Sequence, residues 1–316
     1  FVGDTGDPHT GAISASPDII LLPNAEAAPQ AAFGEGSGTE NSNTLGFEAE
    51  AGQDNFIYVR ARNRGGSAAI NVQAQVFWAP VATLLTPDLW SAVGSVVIPS
   101  VPSGEVLTVS NGITWPSAAI PGPGHYCLVG LIGNPQDPAP APADLLDWDN
   151  FRRFIREQNN VTWRNFNVVN NVPPAGAQPP GFVPLQFLIT GAPDRARRMA
   201  IEVVGRLPEG ARLMLELPGQ FLEMIGRQPH TRFISRKGEV AILPVNPHGM
   251  LRIGEAPIPA RARMRARLLA QIPKGAEANE YEVYVRQVFE KEEVGRVTWR
   301  LTPGRGGKNR KGAKGR

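Results

Sequence analysis

The side chains able to do chemistry are few and scattered. The four histidines, His9, His125, His230 and His248, form no H-x-H or H-x-x-x-H pair and have no cysteine or carboxylate at metal-ligand spacing, so zinc has no donor set. Cys127 is the sole cysteine and lies in the apolar run 125–131, HYCLVGL, which reads as a strand carrying an inert thiol and leaves no intrachain disulfide. No G-x-S-x-G elbow accompanies any serine. Carboxylates gather at Asp144, Asp147 and Asp149 and at Glu290, Glu292 and Glu293, on a helix surface and a turn. Solvated charge accounts for these better than the paired acid and base of a glycosidase. The chain is therefore expected to be no enzyme and to hold no cofactor. Calcium is the one ion with a case, because Gly3-Asp4-Thr5-Gly6-Asp7 and Asp147-Trp148-Asp149-Asn150 cluster hard oxygen donors, although neither matches an EF-hand loop and turn chemistry explains both.

Binding chemistry has more to work with. Of the tryptophans, 78, 115, 163 and 299 fall in strand-like alternation, where a core role is usual, whereas Trp90 and Trp148 fall in connections and are the candidates for surface stacking on a glycan or protein. The segment 304–316, GRGGKNRKGAKGR, offers Arg305, Lys308, Arg310, Lys311, Lys314 and Arg316 on a glycine-rich chain expected to be disordered when free. Such a tail can meet an anionic polymer or an acidic protein face. It lacks the aromatics that read bases, so nucleic acid is disfavoured.

Charge is distributed unevenly around a net +3. Residues 1–181 hold 16 acidic and 7 basic groups, residues 182–303 hold 13 and 19, and no lysine precedes Lys237. Opposite halves of this kind dock within a chain or head-to-tail between chains, if the asymmetry is more than drift in surface composition. No run of 18 apolar residues is present to span a membrane. The start at Phe1 suggests a processed product or a part of something longer.

The elements that must position these groups are strands. Residues 56–61 and 70–78 alternate with period two on either side of Arg64-Gly65-Gly66-Ser67, and we read them as an antiparallel pair at the heart of a β-sandwich. Short apolar runs recur as far as residue 170, interrupted by the proline-rich loop 134–143 and one helix-like stretch within 144–159 that would cap an end of the sandwich. The run 172–181, VPPAGAQPPG, is a semi-rigid linker. A second strand series follows. It includes strands over 231–235 and 261–272, the latter read as a strand although its Ala/Arg/Met composition also suits a helix, and closes with a hairpin whose turn is Glu290-Lys291-Glu292-Glu293. The predicted fold is all-β, with two tandem immunoglobulin-like sandwiches at 51–171 and 182–303. A polar N-terminal arm, 1–50, contributes one edge strand at 16–23, and a basic tail occupies 304–316.

The ordered elements SPDI, NFIYVRARNRG, VFWAP with Trp90, GHYCLVGLIGNPQDP and NNVTWRNFNVV resemble a bacterial immunoglobulin-like module over about residues 16–170. It is similar to the cell-adhesion-related (CARDB-like) domains appended to secreted peptidases and adhesins. The resemblance implies a β-sandwich, an accessory or binding role and an extracellular or envelope-associated setting, and it transfers no catalytic residue. The function expected is a non-catalytic adhesion or interaction module that binds protein or glycan through loops at the sandwich ends. Two alternatives stand beside it. One is a structural subunit that assembles into a homo-oligomer or filament by donating the arm as a strand, with the opposite charges setting polarity; the other is a set of accessory domains of an enzyme encoded upstream.

Overall fold

The computed structural model describes residues 16–301 apart from 41, 43, 44, 47, 170–181, 226–234, 238, 239, 274, 275 and 278–280. The linker 172–181, the tail 304–316 with its six basic candidates, His9, His230, the Gly3–Asp7 stretch and most of the strand expected at 231–235 lie outside the described residues.

The N-terminal half contains β1 (Ile19–Leu22), α1 (Pro29–Phe33), β2 (Glu48–Glu50), β3 (Asn55–Ala61), β4 (Ala69–Pro80), β5 (Ser91–Val101), β6 (Thr108–Val109), β7 (Ile113–Trp115), β8 (Gly124–Gly133), α2 (Trp148–Glu157) and β9 (Val161–Val169). One sheet has the order β1-β3-β6, with β7 also on β3, and the other has the order β2-β9-β8-β4-β5. Ile57, Val59 and Ala61 of β3 face Val72, Ala74 and Val76 of β4 across a core that also holds Trp115 and Phe166. The alternation read from the sequence is therefore correct for these residues, though not for Ile70, which is exposed, and the pairing is wrong. β3 and β4 lie in opposite sheets, and the glycine turn carries the chain from one to the other. Two strands that each put an apolar set into the same core can face each other as readily as lie side by side, and the period alone does not choose.

The arm is also not an appendage. β1 pairs antiparallel with β3, Ile19 opposite Val59, and β2 runs parallel to β9. Ile19, Ile20 and Leu21 are fully buried because both faces of β1 are used: Ile19 and Leu21 enter the sandwich core, while Ile20 packs outward with Phe33, Tyr58 and Val109 under α1. The apolar island that the arm would donate to a neighbour is thus already paired within its own chain.

The C-terminal half contains β10 (Val183–Thr190), β11 (Arg197–Arg206), β12 (Arg212–Pro218), α3 (Gly219–Ile225), β13 (Ser235–Lys237), β14 (Val240–Val245), β15 (Met250–Ile258), β16 (Arg263–Gln271), β17 (Tyr281–Phe289) and β18 (Glu292–Leu301). Its sheets have the orders β10-β16-β12-β14-β13 and β15-β11-β17-β18. Residues 263–271 are a strand, as the alternation Met264, Ala266, Leu268, Ala270 requires, and all four side chains are buried. α3 has no counterpart in the sequence reading. Its seven residues are too short for a full helical period to register, and burial of Phe221, Leu222 and Ile225 supplies what propensity does not.

The closing hairpin forms as read, with Tyr281 opposite Leu301 and Val285 opposite Val297. Its turn is tighter than expected: Glu290 and Lys291 alone connect the strands, with φ of 48° and 75°. This is the left-handed region that a two-residue turn matching strand twist demands and that Asn-Gly fills at least cost. Replacing the pair by Asn-Gly should raise stability by roughly 1 kcal/mol, read as a higher urea midpoint at constant slope. An unchanged or lower midpoint would show that contacts of Glu290 or Lys291 outweigh the backbone term.

Candidate interaction surfaces

The two sandwiches meet over a buried seam, and of the sequence-predicted tryptophans Trp148 sits in it and Trp90 packs against it. Strand β8 shows why. Leu128 and Ile132 enter the first sandwich's core, whereas Cys127, Val129 and Leu131 on the opposite face join a larger core that runs into the second sandwich through Phe187, Met199 and Trp299. A strand buried on both faces reads as a continuous apolar run, which is what HYCLVGLIG is. The outer face of β8 and β9 is covered by α2 and by the second sandwich.

α2 starts where Asp147 Oδ1 accepts from Asn150 N at 3.0 Å, and it buries Phe151 and Phe154 into the seam. Trp148 is only 3% exposed, set edge-on against Phe289 at 5.3 Å and under the Arg197 guanidinium at 4.8 Å. Trp90 packs between Phe77 and Phe154, and its Nε1 donates to Leu85 O at 3.0 Å. Trp148 is therefore a joint between the sandwiches, which corrects its reading as a surface stacking platform, whereas Trp90 is half-buried among residues of the first sandwich. A connection is no guide to exposure when another module lies over it.

The centre of the seam is polar. The segment after β4 runs along β10: Leu188 N donates to Val81 O and Thr83 N donates to Leu188 O, both at 2.8 Å. Thr83 Oγ1 donates to Gln287 Oε1 at 2.5 Å, while Gln287 Nε2 donates to Thr190 O at 3.0 Å. Thr190 Oγ1 in turn accepts from Leu84 N and donates to Leu84 O. Thr83 and Gln287 are fully buried, so each bond is made where water cannot replace it. Gly295 lies against the Thr83 carbonyl so closely that no side chain fits. Charge crosses the seam too, in Arg263–Asp88 at 2.9 Å and Arg152–Glu292 at 3.5 Å. Asp88–Arg263 follows the charge difference between the acidic and basic halves, and Arg152–Glu292 runs against it.

A second buried polar cluster fastens the arm. Asp18 and Arg60 are fully buried and Arg164 is 2% exposed. Arg60 donates to Thr39 O at 3.0 Å and Glu40 O at 3.1 Å, Arg164 Nη1 donates to Ile19 O at 2.6 Å, and Ser16 Oγ donates to Asp18 Oδ2 at 2.9 Å. Burial, then the positive charge of Arg60, lowers the Arg164 guanidinium to about 10, with Asp18 acting the other way. Sequence reading passed over these residues. The signal was an arginine in the middle of an apolar strand, in YVRA and in TWRNF.

On the solvent face of the second sandwich, Glu202 accepts from Arg252 and, at 2.6 Å, from Arg286, and Glu293 joins Arg286 at 3.4 Å and Arg296 at 2.7 Å. Glu202 stands directly opposite both Arg252 and Arg286 in the ladder, so this row holds strand register.

The remaining candidates are structural in their surroundings. Asp147 is the helix cap described above, and Asp149 pairs with Arg152 at 3.1 Å. Among the described residues no three or more His, Cys, Asp or Glu side chains stand together as a metal site. His125 stacks on Trp299 at 6.1 Å, and Cys127 Sγ donates to Asn165 Oδ1 at 3.1 Å. Burial pushes the Cys127 thiol up to about 12. At pH 8 that leaves roughly one thiolate in ten thousand, so iodoacetamide should label Cys127 at least about 100-fold more slowly in the native chain than in urea. Comparable rates would mean that β8 opens to solvent. The same shift makes stability fall above the ordinary thiol value of 9.0, where the unfolded chain ionises first, up to about pH 12.

No family model matches this sequence, and no curated protein matches it. Solved structures with some likeness include the collagen adhesin of S. aureus (10% identity, 80% of this chain and 88% of that one, TM-score 0.22). A mutant of the CFA/I adhesin CfaE from enterotoxigenic E. coli gives 9% identity, 93% and 89% coverage and a TM-score of 0.19. A structure titled as manganese lipoxygenase of Gaeumannomyces graminis with part of zonadhesin of Komagataella pastoris gives 10%, 91%, 93% and 0.22. TM-scores of this size define no common framework with the present chain.

Proposed function

We propose that this chain is a non-catalytic interaction module of a bacterial extracellular or envelope-associated protein, in which two sandwiches act as one body that presents a fixed surface to a protein partner. The observation that carries this reading is the seam. A hydrophobic core continuous across both sandwiches, with the Thr83–Gln287–Thr190 network at its centre, holds loops of both halves in constant relative position. A protein surface needs preorganised area from several loops, whereas a catalytic site needs a convergent set of titratable groups in a cleft. The resemblance to cell-adhesion-related modules supports the setting. A protein partner is favoured over a glycan because Trp148 is built into the seam and Trp90 is half-covered by Phe77 and Phe154, which leaves no open aromatic face of either for a sugar ring to cover fully.

The test is to present the tagged chain to arrays of extracellular-matrix proteins, bacterial envelope proteins and glycans, and to weigh the bound ligand by mass spectrometry afterwards. Saturable retention on a protein with ligand mass unchanged is expected. Retention on no protein, or a bound ligand cleaved or otherwise altered in mass, overturns the proposal.

A further inference from the structure

Several sheet edges among the described residues carry bonds from other segments of the chain. Residues 81–83 bond along β10, Gly46 O accepts from Leu21 N of β1 at 2.9 Å, and Asn165 Nδ2 donates to Thr298 O of β18 at 2.9 Å. β5 differs. It ends the five-stranded sheet, pairs with β4 on one side, and among the described residues has no hydrogen-bonded strand on the other, although Ile113 of β7 comes against Gly94 near its start. Its eleven residues, SAVGSVVIPSV, carry no charge, although Lys and other charged side chains are the usual guard of a long edge.

The open stretch is bounded. A bulge lies on β5 where the register shifts between Val76 and Phe77, Pro99 lacks an N–H, and Asn63 Nδ2 donates to Val101 O at 3.1 Å. Ile132 N donates to Asn160 O at 2.9 Å, so β8 bonds β9 through its even-numbered residues and β4 through its odd ones. Carried across the registers, Gln73 and Gln75 of β4 bond β8, Ala74 and Val76 bond Val96 and Gly94 of β5, and Ser95 and Val97 are left to offer N–H and C=O to the open side. Two exposed apolar side chains lie beside this window on the sheet's outer face, Val97 at 50% exposure and Ile70 at 52%. Ile70 is turned outward because Asn71 has φ 53°, which reverses the facing of β4 at that point.

We propose that β5 pairs antiparallel with β5 of a second copy about a two-fold axis, which extends the five-stranded sheet across a dimer. With Ser95 opposite Val97 of the other copy, the four residues exchange four backbone hydrogen bonds and ask nothing of Pro99. The second copy is the favoured occupant because a two-fold places each side chain near its own twin, so any charge on the edge would meet a like charge. β5 meets that condition, whereas β15, also at a sheet edge, carries Arg252 and Glu255. The pairing brings the exposed Val97 side chains of the two copies together.

Light scattering over a concentration series up to about 1 mM, the affinity limit of a weak dimer, is the experiment. The mass should rise from 34.0 kDa to twice that value, with amide exchange at Ser95 and Val97 slowing in step. Val97→Lys, which puts two like charges beside the axis, and Ser95→Pro, which removes an outward donor unused inside the chain, should each weaken the dimer at least about tenfold. Val183→Lys alters a residue of equal exposure, 51%, on a different strand and should leave the dimer unchanged. A monomer at every concentration overturns the proposal, as does a dimer indifferent to both β5 variants. Exchange protection of Ser95 and Val97 by an added extended peptide, with the chain itself monomeric, overturns it in favour of a foreign strand.

Discussion

Replacing Gly295 by valine is expected to split the thermal unfolding of this chain from one calorimetric transition into two. In the native chain the core is continuous from Val129 of the first sandwich to Phe187 and Trp299 of the second, so neither sandwich can open without exposing apolar surface of the other. Gly295 sits in β18 where its missing side chain admits the Thr83 carbonyl. A valine there cannot settle into a gap; it must push residues 83–84 away and break the bonds that tie Thr83 to Gln287 and Thr190. Overpacking of this kind costs about 1–3 kcal/mol, and each buried polar group left unpaired adds about 1–3 kcal/mol. Because the loss falls on the seam and spares both inner cores, two transitions of roughly half the enthalpy should appear, with the lower one shifted down. A single transition at the original midpoint would mean that the sandwiches are cooperative for some reason other than this contact.

The second large effect is expected at Asp18. Its carboxylate favours the charged form of both Arg60 and Arg164, and all three side chains are nearly or fully removed from water. Asp18→Asn keeps the shape and the capacity to hydrogen-bond Ser16 but deletes the charge, leaving two buried guanidinium groups without it. Breaking a buried ion cluster from one side costs about 3–5 kcal/mol, which for a chain of this size corresponds to a fall in Tm on the order of 10 °C. Residues 16–46 should loosen first, detected as proteolysis in the arm before global unfolding, since Arg60 holds the Thr39 and Glu40 carbonyls and Arg164 holds Ile19. If Asp18→Asn is as stable as the parent, the bonds to backbone carbonyls satisfy both arginines, and the charge of Asp18 is incidental.

These two expectations fall on residues that the sequence did not single out, and the reason is physical. Periodicity along a strand reports which side chains share a face, so the strand set, the all-β class, the 263–271 strand and the closing hairpin could all be read from alternating residues before any coordinates. It also marked β8 as apolar on both faces. What a one-dimensional pattern does not contain is the identity of the material against each face. Tyr58 and Arg60 alternate correctly with Val59, yet only the tertiary structure shows that the arm lies over them. Trp90 was assigned to a connection correctly, but Trp148 opens α2, and its burial is decided by Arg197 and Phe289 of a sandwich that begins more than thirty residues later. In the same way β3 and β4 were found as strands and wrongly joined as neighbours, because the turn between them is compatible with pairing or with crossing, and the choice rests with β1, β7 and β8, which supply the actual partners. Local chemistry, set by side-chain type and period, is determined by the sequence itself. Which faces are covered, and therefore which polar groups are buried and which edges stay open, depends on contacts between segments far apart in the chain, and those are fixed only when the whole molecule has folded.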